Sequence, residues 1–254
     1  VTTGPCFLQV APDEIDGQTV RCGTVSVPED HDDPDGRRIE LAFVVLKSFS
    51  RVPAPDPVVY LHGGPGVGTL DRLTGLEDKQ FLFNDLRVRR DIVAFDQRGV
   101  DASGGGTRCY AAIAEFYPAL AEVPVWEPLP DLLTGDLVAN CLAELEANGV
   151  GIEHYNTVQN ARDVPAVMAA LGYPEYNIYG ISYGTRLGLE VMRSAPDGLR
   201  SAVLDSVWPA DIPFYDQMGV PWEEATEALF DACAAEPDCA AAYPDLRDRF
   251  YALL

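Results

Sequence analysis

Lysine is nearly missing from this chain: of its 254 residues only Lys47 and Lys79 are lysines, and the other 16 basic side chains are arginines. Set against 40 acidic residues, they leave a formal net charge of −22. Binding to nucleic acid or to an anionic membrane needs clustered Lys and Arg to neutralise phosphate, so neither partner fits. Histidine is also scarce, with three residues, and no two of the six cysteines form a C-x-x-C pair. A zinc site built from Cys and His is therefore not expected, nor is any other metal or cofactor. No apolar run approaches the roughly 20 residues of a membrane-spanning helix. No charged-then-apolar leader opens the chain, so an exported protein would have lost its signal before Val1.

What is present reads as globular. Apolar residues make up 47% and charged residues 23%, enough for one large domain or two small ones with a buried core. The acidic surplus suits neutral or cationic substrates, and it reads equally as salt adaptation or genome bias. An even cysteine count fits disulfides in an oxidising, secreted or periplasmic setting, with buried free thiols as the alternative. Local spacing favours Cys6–Cys22, Cys109–Cys141 and Cys233–Cys239 among the 15 possible pairings.

Alternation predicts strands over 18–27 and 38–47, joined by a polar turn, Glu29–Arg37 (EDHDDPDGR). That turn resembles a calcium loop but lacks the closing Glu, so a solvated hairpin turn is expected. Short apolar runs at 58–61 and 91–95 read as buried strands, and YNIYGI (176–181) and LRSAVLDSV (199–207) as two more. Residues 102–135 are irregular, with Tyr110, Phe116, Tyr117 and Trp126. Helical periodicity marks 134–148, 158–171 (stopped by Gly172), 183–194, 222–235 and a helix from Leu246. Strands alternating with helices predict an α/β fold with a mainly parallel sheet flanked by helices.

The most specific feature is Gly180–Ile181–Ser182–Tyr183–Gly184, a G-x-S-x-G between a predicted strand and a predicted helix. That context is what a nucleophile elbow requires: glycines where a side chain would strike backbone, and a serine thrust out above the sheet edge. The helix N-terminus behind the serine favours developing negative charge. His62–Gly63–Gly64–Pro65–Gly66 follows the strand ending at Leu61 and could lend a backbone N–H to an oxyanion hole, with Tyr183 supplying the second. The glycine run 63–68 fits neither G-x-G-x-x-G nor a P-loop, so phosphate binding is disfavoured. His62 reads as an orienting residue rather than a base.

At these residues the chain resembles the prolyl-iminopeptidase and tripeptidyl-aminopeptidase branch of the α/β-hydrolases. HGGPG (62–66), DQRG (96–99) and GISYG (180–184) carry the resemblance, and 22–41, 155–172 and 233–246 extend it along nearly all of the chain. It implies an α/β-hydrolase core over 1–210 and the start of a helical cap over 211–254. It also implies a serine hydrolase acting on peptide N-termini or esters, exported in the disulfide-bearing branch. Ser182 maps to the nucleophile, with Gly64 and Tyr183 as oxyanion donors and Gly63 as a less favoured one. Asp96 and Arg98 are expected to brace the HGGPG loop, and Asp163 to be structural. Glu223 and Glu224, in the expected cap, are candidate anchors for a substrate ammonium, with solvated helix-start carboxylates as the plainer reading.

In this fold the triad runs Ser, then Asp or Glu, then His, yet no histidine follows His154. The sequence therefore reads as the front part of a longer hydrolase, with the C-terminal remainder of the same protein as a partner. Asp205 as acid and His154 as an improvised base are weaker alternatives. The expected partners are a peptide or ester substrate, with a non-catalytic module on the same fold as the rival.

Overall fold

The computed structural model describes residues 1–6, 14–70, 83–103, 107, 109, 114, 118, 123, 131–213 and 219–253. Tyr110, Phe116, Tyr117 and Trp126 lie outside the described residues. The chain divides into two compact units, Val1–Trp208 and Pro209–Leu254.

The first unit is built on a seven-stranded sheet in the order β1-β2-β3-β5-β4-β6-β7. Its strands are β1 (Thr2–Gly4), β2 (Val20–Pro28), β3 (Arg38–Leu46), β4 (Val58–Leu61), β5 (Ile92–Phe95), β6 (Tyr176–Ile181) and β7 (Leu199–Asp205). The four strands β5-β4-β6-β7 run parallel, whereas β1, β2 and β3 join antiparallel at one edge, so the sheet is mixed. Every residue of β4 and β5 is buried, because helix and loop cover both faces of the centre. Their alternation splits the core: Val59, Leu61, Val93 and Phe95 face one cluster, and Val58, Tyr60, Ile92 and Ala94 the other.

The first unit's helices include α1 (Asp131–Ala147), α2 (Thr157–Ala170) and α3 (Tyr183–Ser194). Ala161, Val164, Val167 and Met168 of α2 and Leu187 and Val191 of α3 fill the first cluster. Asn156 caps α2, its side chain accepting the Gln159 N–H at 3.0 Å. The hairpin turn 29–37 departs from the solvated expectation. Its tip is exposed, but its stem is docked on α2: His31 Nε2 lies 2.8 Å from Asp163 Oδ1, Gln159 Nε2 donates to Asp30 Oδ1 at 2.9 Å, and Arg162 pairs with Asp32.

The second unit contains α4 (Gly219–Ala235), α5 (Pro237–Ala242) and α6 (Leu246–Tyr251). Phe230 and Cys233 are the buried residues of α4, and Phe230 packs edge-on to Phe250 at 5.4 Å. Cys233–Cys239 staples α4 to α5, where Glu236 caps the helix by accepting the Cys239 N–H. Cys6–Cys22 ties the N-terminus to β2, and Cys109–Cys141 ties α1 to the segment before it. All three pairings are those that local spacing favours, and no described cysteine is free. Among the described residues, no helix is long and apolar enough to cross a membrane.

Candidate active site

β6 ends at Ile181 and α3 begins at Tyr183, so the whole strand-to-helix reversal falls on Ser182. Its backbone sits at φ 54° and ψ −120°, a region that a residue with a Cβ enters only when its surroundings force it. The serine side chain caps nothing in its own helix and is exposed at the apex. Close backbone packing holds it there. A Cβ built at Gly180 would fall 2.5 Å from the Gly184 carbonyl oxygen, and one at Gly184 would fall 1.9 Å from the Leu61 carbonyl oxygen. Helix α3 therefore touches strand β4 main chain to main chain. Gly184→Ala must push them apart, and we expect it to lower stability by about 1–3 kcal/mol, read as a drop in the thermal unfolding midpoint.

The second loop meets the serine directly. A Cβ at Gly63 would lie 2.8 Å from Ser182 Cβ and 3.4 Å from its Oγ, so only glycine lets this loop rest against the serine. Gly64 follows, half-buried, its carbonyl accepting the Val67 N–H at 3.1 Å to close the turn. His62 Nδ1 lies 2.9 Å from the Tyr60 hydroxyl on the same strand end.

Asp96 is buried at the tip of β5, and its carboxylate accepts the N–H groups of Thr69 (2.7 Å), Leu70 (3.0 Å) and Ala102 (3.1 Å). It thereby fastens the chain leaving the glycine loop to the turn after β5. Burial pushes its carboxyl above the ordinary range, against the pull of these three donors. Arg98 does something other than brace the loop. All five of its guanidinium N–H groups are spent elsewhere: two on Asp163 (2.8 and 2.7 Å) and the rest on the carbonyls of Pro28, Glu29 and His154. A planar, five-donor fork suits a carboxylate and converging carbonyls, and the loop offers neither. The Arg98 and Asp163 side chains are fully buried and join the ends of β2 and β5 to α2.

The remaining candidates spread out. Asp205 gives its main-chain carbonyl to the Ser182 N–H at 2.9 Å, while its carboxylate accepts from Tyr179 OH (3.1 Å) and Ser206 Oγ (3.2 Å). His154 lies 3.9 Å from Asp30 and 3.7 Å from Glu153. His31 thus lies against Asp163, His62 against Tyr60 and His154 near the acidic turn. Glu223 and Glu224 are exposed on α4 in the second unit. Among the described residues, no group of three Cys, His, Asp or Glu is placed to hold a metal.

One residue outside the sequence motifs completes the elbow. Thr185, fully buried at the third position of α3, donates its hydroxyl to the Ser182 carbonyl at 2.6 Å and accepts the Trp208 N–H at 2.8 Å. A threonine in the first turn of a helix is the signal that marks it, since its hydroxyl reaches back to the preceding turn.

Residues 56–237 match the family model described as the alpha/beta hydrolase fold. The chain is 32% identical over 196 residues to the tripeptidyl aminopeptidase of Streptomyces lividans, covering 74% of this chain and 35% of that protein. It is 32% identical over 210 residues to the serine protease Hip1 of Mycobacterium tuberculosis, covering 79% of this chain and 38% of that protein. A shorter match, 35% identical over 96 residues, links it to carboxylesterase B of Mycobacterium tuberculosis, covering 36% of this chain and 17% of that protein. The chain thus spans a little over a third of the length of the first two relatives. A strand-to-helix elbow on a mixed sheet and a family match across most of the sequence agree: the chain belongs to the α/β-hydrolase fold family.

Proposed function

We propose that the chain carries the nucleophile half of a serine hydrolase that cleaves peptide bonds near a free N-terminus through an acyl-enzyme on Ser182. The observation that carries the reading is the strained φ of 54° at an exposed serine, held by backbone packing on both sides. In this reading Ser182 Oγ attacks the carbonyl carbon and the carbonyl oxygen takes up the negative charge. The Tyr183 and Gly64 N–H groups, with Gly63 as the alternative, receive that oxyanion. Collapse expels the amine with a proton from the base, and water then releases the acid. In this reading the base is a histidine other than His31, His62 and His154, whose imidazoles lie against Asp163, Tyr60 and Asp30. Gly180 and Gly184 make the elbow possible, and Asp96 holds the oxyanion loop. Glu223 and Glu224 remain candidates for the substrate ammonium, and the surplus of negative charge suits such a substrate.

The similarity to a carboxylesterase favours a second reading, hydrolysis of small esters by the same serine. Matched amide and ester substrates, each with a free or acetylated α-amine, separate the two in the full-length protein. Aminopeptidase action predicts that acetylation lowers amide turnover by about 100-fold, the cost of an unpaired anionic anchor. Amide turnover unchanged by acetylation would exclude it. Three disulfides support a secreted or periplasmic setting.

A further inference from the structure

We propose that Thr185, locked by the main chain of Trp208, is a positioning residue that aims the Tyr183 N–H at the oxyanion. The inference rests on the serine-hydrolase reading above. The Ser182 carbonyl and the Tyr183 N–H belong to one planar peptide and point in opposite directions, so fixing the oxygen fixes the donor. Two bonds fix that oxygen: Thr185 N–H at 2.9 Å and Thr185 Oγ1 at 2.6 Å. The threonine hydroxyl has a single hydrogen, and the Trp208 N–H occupies one of its lone pairs at 2.8 Å. The hydrogen is therefore delivered to the Ser182 carbonyl, and each bond polarises the next.

A hydroxyl that reaches back within its own helix is common; a donor arriving from another element is what distinguishes this one. That donor comes from the chain just past β7, which bends at non-glycine Ser206, φ 60°. At the end of β7 the Asp205 carbonyl lies 2.9 Å from the Ser182 N–H. One short segment, 205–208, thus pins the peptide before the Ser182 Cα through Asp205 and the peptide after it through Thr185. The Trp208 ring closes the arrangement, edge-on to Tyr183 at 6.1 Å and beneath the Arg186 guanidinium at 5.0 Å. A backbone region this sparsely populated persists only when its surroundings over-determine it, and these contacts do so.

The test compares Thr185→Val, which keeps the shape and loses the hydroxyl, with Thr185→Ser, which keeps the hydroxyl. Both are made in the full-length enzyme, with active sites counted by fluorophosphonate titration. A positioning role predicts that Thr185→Val lowers kcat per titratable serine about 10-fold with KM changed less than about twofold. Thr185→Ser should recover kcat to within about threefold of the parent. A parental kcat in Thr185→Val, a rise in KM alone, or a serine variant as slow as the valine variant overturns the proposal. If Thr185→Val does not accumulate, Thr185→Ala replaces it in the same comparison with the same outcomes. A parent enzyme with no titratable serine would overturn the underlying hydrolase reading as well, so the two failures are distinct.

Discussion

Ser182→Ala in the full-length enzyme should lower hydrolysis by about 10⁴-fold or more and leave the fold intact. The hydroxyl makes no cap hydrogen bond to its own helix, so its removal costs the helix no cap. The backbone carries the cost instead. Alanine inherits the φ of 54°, whereas glycine enters that region freely. Ser182→Gly should therefore be equally inactive yet more stable than Ser182→Ala by about 1 kcal/mol. That pairing, loss of activity with a gain in stability, is what a strained nucleophile predicts and an ordinary surface serine does not. Turnover with matched substrates and urea unfolding of both variants are the measurements.

The second large effect lies in the Arg98–Asp163 pair. Asp163 and the Arg98 side chain are fully excluded from water, joined by two short bonds, and Asp163 also meets His31 Nε2. Asp163→Ala leaves the guanidinium buried with only three carbonyls for company, and we expect a loss of about 3–5 kcal/mol in unfolding free energy. The pair itself contributes far less than that figure, because burying both ions costs nearly what their attraction returns. Asp163→Leu combined with Arg98→Met should accordingly recover much of the loss, and denaturant unfolding of the single and double variants measures the coupling. A surface role for Asp163 would instead give a change within about 0.5 kcal/mol.

These two centres show how far local pattern reaches. The elbow was legible because its chemistry is local: a strand period, two glycines flanking a serine, then a helix, all within 176–194. The strands at 58–61 and 92–95 were legible as short apolar runs, since both faces are buried. Their order was not, because β5 inserts between β3 and β4 through pairings that no local pattern encodes. The three-residue β1 is too short to show a period. Arg98 looked like a partner of the nearby glycine loop, yet its carboxylate lies 65 positions away on α2 and its carbonyls on β2 and at His154. The stem of the acidic hairpin likewise found partners 129 and 132 positions away. Asp205 drew notice for its side chain, whereas the contact it makes with Ser182 is through its carbonyl, which every residue possesses.

Labelling the full-length protein with a fluorophosphonate, followed by mass mapping of the modified peptide, addresses the nucleophile itself. An adduct on Ser182, lost in Ser182→Ala, is the result the geometry predicts. An adduct on another serine, or none, would contradict it.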